Sequence, residues 1–248
     1  MSKTRFIQVE SKNAILELLK EGRDFDKLYI AANAFKDEKV REIVEIAGKK
    51  NIPVLKVSRK IITRRLRNSK SESILGYMYS QNNWDLEELL NKLSDEGKQP
   101  FFLVLDDLKY TQNIAAIMRT AFGAGVNGII VNPQEKNLIT NETIRISMGA
   151  AERIPLVETN LFNALKLLTK NDIKIFAVHM GGEMYFDANL KGPVAFVMGA
   201  EDVGITSGLL ERVDGKISIP MREGIGSLNV SASAAVIMYE KLRQEVKA

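Results

Sequence analysis

Apolar residues recur along this chain in two different rhythms. In the first part, short helical stripes alternate with short strands. Residues 12–20 (KNAILELLK) set Ile15, Leu16, Leu18 and Leu19 at near-helical spacing, and Gly22 supplies a stop. Residues 27–31 (KLYIA) predict a strand, and residues 38–49 place Val40, Ile43, Val44 and Ala47 on one helical stripe. Residues 53–57 (PVLKV) predict another strand, followed by a basic helix. This βαβα order predicts a small α/β sandwich over residues 1–80. Turn formers and a charged helix at residues 81–99 read as a linker. From Phe101 the apolar runs become nearly continuous: FFLVLD, GIIVN (128–132), IPLVE (154–158), IKIFAVHM (173–180), PVAFVMG (193–199) and KISIPM (216–221). Unbroken apolar strands are those covered on both faces, so residues 100–248 predict a parallel sheet with helices on each side. Ligands of such sheets sit beyond the carboxyl ends of the strands. Residues 199–202 and 221–226 fall at such ends.

Composition narrows the classes. There is no cysteine, which removes disulfides, thiolate zinc sites and thiol nucleophiles and fits a reducing compartment. The opening MSKTRFIQVESKN has no apolar signal-peptide segment. The longest apolar runs fall far short of the roughly 20 residues that span a bilayer, so a cytoplasmic protein is expected. Charge is unevenly placed. Residues 1–98 carry 20 Lys and Arg against 15 Asp and Glu, whereas residues 99–248 carry 15 against 16. Within the basic half, residues 56–70 (KVSRKIITRRLRNSK) hold Lys56, Arg59, Lys60, Arg64, Arg65, Arg67 and Lys70 with no acid between them. Such a block is either a solvated helix face or a surface for a phosphate backbone, and the asymmetry of the halves favours RNA.

Candidate chemistry lies in the second half. GAGVNG at 123–128 matches the dinucleotide-binding glycine pattern, but it ends a predicted helix and precedes a strand, the reverse of what that motif needs. A turn is the better reading, and nicotinamide-cofactor chemistry is set aside. No phosphate-binding loop and no metal-ligand spacing appear in the sequence. His179, the one histidine, closes an apolar strand and reads as structural rather than catalytic. Three other segments place polar or small residues where a plain core would not. Asn113 and Arg119 flank the buried stripe of a predicted helix over 111–124; alone, they read as a cap and a surface residue. Met198, Gly199 and Glu201 end a buried strand, with a glycine that leaves the backbone open to close approach. Ser227, Asn229, Ser231 and Ser233 interrupt an apolar segment just after Gly224 and Gly226. A capped helix would account for Ser227 but not for the whole run.

NIAAIMR (113–119), FVMGAED (196–202) and ISIPMREGIGSLNVSASAAVIMY (217–239) resemble, in order and spacing, the three signature motifs of the TrmH-type (SpoU) branch of the SPOUT RNA methyltransferases. The resemblance implies a SPOUT methyltransferase domain at 100–248 with a deep C-terminal trefoil knot, a homodimer, and S-adenosylmethionine as methyl donor to a ribose 2′-hydroxyl. It assigns Asn113, Arg119, Glu201, Ser227 and Asn229 to hydroxyl activation and alignment. It assigns Met198, Gly199, Ile219, Met221 and Leu228 to the cofactor. A fixed guanidinium at Arg119 would orient the hydroxyl and offset developing negative charge. SKNAILELLKEG followed by a K-x-Y-I strand resembles the small ribosomal-protein-like RNA-binding domain of the family's ribosomal RNA ribose methyltransferases. Relatives carry His-Gln-Gly where this chain has Ile74-Leu75-Gly76, so nucleotide specificity does not carry over. The expectation is methylation of large-subunit ribosomal RNA, with transfer RNA as the alternative substrate. A non-catalytic RNA-binding assembly factor that has kept the fold is the alternative class.

Overall fold

The computed structural model describes residues 6–66, 72–79, 83–133, 138–200, 202–222 and 226–246. The chain divides into two compact units, Lys3–Gln81 and Asn82–Ala248.

The first unit runs β1 (Phe6–Val9), α1 (Lys12–Lys20), β2 (Phe25–Ala31), α2 (Glu38–Lys49), β3 (Val54–Val57), α3 (Arg59–Arg65) and β4 (Ile74–Tyr79). Its sheet has the order β1-β4-β2-β3; β4 is antiparallel to both neighbours, and β2 and β3 are parallel. Ile15, Leu19, Leu28, Ile30, Ile43, Ile62 and Ile74 form the buried interior. The α2 stripe forms as its spacing predicts, and Asp37 caps it by accepting from the backbone N–H groups of Lys39 and Val40. Strands β1 and β4 are additions to the βαβα reading. In β4 a glycine interrupts the apolar run and hides the strand pattern. A Cβ at Gly76 would stand 2.7 Å from the Phe25 ring, so the glycine lets the two strands pack.

The second unit runs β5 (Asn83–Trp84), α4 (Leu86–Asp95), β6 (Phe101–Asp106), α5 (Thr111–Gly123), β7 (Gly128–Val131), α6 (Asn141–Ile146), β8 (Leu156–Glu158), α7 (Leu161–Lys170), β9 (Lys174–Met184), β10 (Val194–Gly199), α8 (Ser207–Leu210), β11 (Gly215–Ser218) and α9 (Val230–Val246). Seven strands in the order β11-β9-β10-β6-β7-β8-β5 form an entirely parallel sheet. The unbroken apolar runs of β6, β7 and β10 are buried throughout except at Gly199. Helix α4 inserts Leu86, Leu89, Leu90 and Leu93 into a core shared with Phe102, Ile130 and Leu165. Strand β9 is longer than its apolar run and slips register against β11 between Lys216 and Ile217. Strand β11 ends at Ser218 rather than at residue 221, because Pro220 has no N–H for a ladder. The GAGVNG segment is the turn after α5, with Gly125 at φ +79. Among the described residues, no helix is long and apolar enough to cross a membrane.

Candidate active site

At the carboxyl end of β10 the chain makes a tight return. Gly204 donates its N–H to the carbonyl of Ala200 at 2.9 Å, and the two residues form a β-bridge. A Cβ on Gly199 would stand 2.2 Å from the Gly204 carbonyl carbon and 2.4 Å from the Ile205 nitrogen. The room beside Gly199 is therefore taken by the chain's own backbone. This corrects the expectation that the missing side chain mainly opens the strand end to a ligand. Asp106, at the end of neighbouring β6, is 4% exposed and accepts from the Thr206 N–H at 2.8 Å. A buried carboxylate so engaged fixes the far end of the return. The sequence signal for it was an aspartate closing the run FFLVLD.

A cavity of about 520 Å³ opens beside this return. Met198, Gly199, Ile219, Met221, Ser227 and Leu228 all line it, which brings the five expected cofactor residues and one expected catalytic residue together. His179 and Val203 line it too; nothing in the sequence marked Val203, and His179 reads there as structural. The walls are mainly apolar, with the Ser227 hydroxyl and irregular backbone beyond the β11 ladder as polar features. Size and lining suit an adenosine-sized ligand with a few fixed polar contacts. Glu201 lies outside the described residues.

The SLNVS segment turns at the start of α9. Asn229 accepts from the Ser231 N–H at 2.9 Å and the Ser231 hydroxyl at 2.6 Å. Asn229, not Ser227, is thus the helix cap, and Ser227 is left exposed on the cavity wall. The Asn229 amide nitrogen donates to Asn113 Oδ1 at 3.1 Å, joining two motifs that are 116 residues apart. Asn113 sits in the first turn of α5, but the position before that helix is Tyr110, so the side chain is not a cap. Asn113 and Asn229 also line a second, polar depression of about 540 Å³ with Tyr110, Thr111, Gln112 and Glu142. The stretch 227–230 is the partition: Ser227, Leu228 and Val230 face the first cavity, and Asn229 faces the second. Arg119 is exposed on α5. Six residues at about 100° and 1.5 Å each set it roughly 120° around and roughly 9 Å along the helix from Asn113.

On the first unit, Arg59, Lys60, Arg64 and Arg65 of α3 and Lys56 of β3 are all exposed. The Arg65 guanidinium lies 4.8 Å from the Tyr29 ring centroid, and the Lys56 ammonium 5.6 Å from that of Phe35. Tyr29 meets Tyr77 edge-on at 5.9 Å. Arg67 and Lys70 lie outside the described residues.

Comparison with known proteins agrees with this geometry. Residues 100–239 match the SpoU rRNA Methylase family, and residues 9–74 match the RNA 2′-O ribose methyltransferase substrate-binding domain. The chain is 33% identical over 214 residues to the 23S rRNA (guanosine-2′-O-)-methyltransferase RlmB of Neisseria meningitidis, covering 85% of this chain and 84% of that one. A Bacillus subtilis protein assigned to the TrmH family of tRNA/rRNA methyltransferases is 31% identical over 240 residues, 95% of each chain. In three dimensions the fold matches the SpoU methyltransferase AviRb of Streptomyces viridochromogenes, solved in complex with AdoMet. The TM-score is 0.72 at 19% identity, covering 98% of this chain and 91% of that one. The chain belongs to the SpoU rRNA methylase family and is an S-adenosylmethionine-dependent RNA methyltransferase.

Proposed function

We propose that this enzyme methylates a ribose 2′-hydroxyl in large-subunit ribosomal RNA, docking the RNA through its first unit. The observation that carries the reading is the partition at 227–230, which sets an adenosine-sized cavity back to back with a polar depression. Bound S-adenosylmethionine supplies a methyl carbon already activated by its sulfonium. The protein then has to align the attacking hydroxyl with that carbon and offset the charge that develops on its oxygen. In this reading Met198, Gly199, Ile219, Met221 and Leu228 hold the donor. Asn229, braced by Asn113, presents its amide to the ribose from the partition, and Ser227 and Glu201 complete the alignment. Arg119 supplies the positive charge. A guanidinium offers five N–H donors and no acceptor, so it orients the hydroxyl rather than taking its proton.

The reading includes a homodimer. Arg119 shares the outer face of α5 with Phe122, which is 45% exposed, and Tyr239 of α9 lies beside Gly123 and is 50% exposed. An apolar face of that kind suits a second copy of the chain. Such pairing would let Arg119 of one copy meet the Asn113–Asn229 pair of the other. The reading also carries the C-terminal trefoil knot implied by the resemblance; support comes from Met198, Gly199 and Val203 lining one cavity with Ile219, Met221 and Leu228 although β11 lies between the two sets in the chain. Lys56, Arg59, Lys60, Arg64, Arg65, Arg67 and Lys70 are the proposed RNA contacts, and cytoplasmic ribosome assembly is the proposed setting. The relatives named for 23S rRNA support this target over transfer RNA, and the exposed basic face of α3 suits an RNA backbone of either kind.

The test is transfer of a labelled methyl group from S-adenosylmethionine to unmodified ribosomal and transfer RNA pools. Label confined to one large-subunit nucleotide is expected, and Arg119→Ala should abolish it without loss of fold. Label in transfer RNA alone would replace the substrate. RNA binding with no label in either pool would favour a non-catalytic assembly factor.

A further inference from the structure

The polar depression holds a side chain that the methyl-transfer reading leaves unused. Glu142, in the first turn of α6, shares that depression with Asn113 and Asn229, and it is exposed. Among the described residues no lysine or arginine forms a salt bridge with it. A lone carboxylate is out of place where an RNA phosphate would have to sit, since like charges repel there. It is well placed for a neutral group rich in hydrogen-bond donors. At the rim stands Tyr110, 65% exposed, and its side chain takes no part in capping α5. An exposed aromatic ring beside a polar recess is the arrangement on which an unstacked base rests.

We infer that this depression receives the base of the target nucleotide and selects guanine, with Glu142 as the specificity-determining residue and Tyr110 as the stacking surface. A carboxylate offers two acceptor oxygens and no donor. Guanine alone presents two adjacent donors on its Watson–Crick edge, the N1–H and the exocyclic N2–H, and so meets both oxygens at once. Adenine and cytosine each offer one donor beside an acceptor nitrogen that the carboxylate would repel. Uracil offers one donor between two carbonyl oxygens, which the carboxylate would also repel. Gln112, on the same wall, can donate from its amide to the guanine O6. The ribose of a base held here would lie toward Asn113 and Asn229, at the partition from the donor cavity.

This inference rests on the ribose-methylation reading, and the experiment separates the two. The full-length enzyme is given S-adenosylmethionine labelled in its methyl group and an unmodified large-subunit ribosomal RNA transcript. The RNA is then digested so that the four 2′-O-methylnucleosides are resolved. Label is expected in 2′-O-methylguanosine. Replacing the mapped guanosine by adenosine in the transcript should lower transfer roughly 10- to 100-fold, the range of one good two-point base contact. In Glu142→Gln the preference for guanosine over adenosine should shrink to within about threefold, because the amide presents a donor where guanine needs an acceptor. A residue that only supported the fold would lower both rates together and leave their ratio intact. Label in another 2′-O-methylnucleoside, or an unchanged ratio in Glu142→Gln, would overturn the assignment while leaving ribose methylation standing. Label in no 2′-O-methylnucleoside would overturn both.

Discussion

Gly199 and Gly226 both line the cavity proposed for the donor, yet their surroundings predict opposite responses to substitution. A Cβ at Gly199 meets the backbone of Gly204 and Ile205, which cannot swing aside, whereas one at Gly226 meets nothing within 4 Å. Gly199→Ala is expected to cost about 2–3 kcal/mol of stability and to weaken donor binding, and Gly226→Ala to leave stability within about 1 kcal/mol. Thermal denaturation of the two variants with and without S-adenosylmethionine checks this; equal stability would mean the return at 200–204 relaxes freely. The same pair shows what sequence reveals at this scale. Small residues beside apolar runs, Gly199, Gly226 and Ser227 among them, do fall on the walls of one cavity. The sequence did not reveal that the chain itself fills the space beside Gly199. Nor did it reveal that Asp106 holds Thr206 or that Glu142 reaches the depression beside Asn229, since both are through-space relations. The Asn113–Asn229 hydrogen bond belongs to the same class, and only the shared motif spacing hinted at it.

At the scale of elements, long buried strands and capped amphipathic helices were legible, and short or interrupted ones were not. The helices at Lys12–Lys20 and Glu38–Lys49 fall where their stripes predict. Strand β4 was hidden by Gly76, and β5 has only two residues. Helix α2 carries a titratable cap. The Lys12 hydrogen bond, opposed by partial desolvation and aided by the Val40 and Lys39 amides, holds the Asp37 carboxyl below its usual range. A depressed folded-state pKa stabilises above the unfolded value, near pH 4, and that contribution disappears as pH falls through the lower folded value. The excess stability of wild type over Asp37→Asn should therefore shrink on acidification from about pH 5 to below about pH 3. Melting curves across that window would contradict the linkage if the gap stayed constant. Helix α3 supports a separate expectation. Arg64→Glu with Arg65→Glu should weaken RNA binding and flatten the plot of log K against log salt by roughly one unit or more. An unchanged slope would move the docking surface away from α3.

At the scale of the molecule, the charge asymmetry follows the two matched families: the substrate-binding match covers residues 9–74 in the basic half, and the methylase match covers 100–239. A parallel sheet could be read from continuous apolar runs, but strand order could not, because nothing in β9, β10 or β11 states which strand each joins. The proposed homodimer makes a whole-molecule prediction. Arg119→Ala and Asn229→Ala should each lower methyl transfer at least about 100-fold, the scale of losing a key transition-state contact. A 1:1 mixture of the two variants after subunit exchange should recover roughly a quarter of wild-type activity, since about half the dimers would be mixed and each of those would regain one of its two composite sites. Absence of recovery in demonstrably mixed dimers would place both residues in one subunit's site. The central claim, that the methyl group goes to a ribose oxygen, is tested most directly by alkaline hydrolysis of RNA labelled by the wild-type enzyme. Methylation of the 2′-oxygen removes the nucleophile that alkali uses to cleave the next phosphodiester, so the label should remain in an alkali-resistant dinucleotide. Label released quantitatively as mononucleotides would put the methyl group on a base and contradict the account.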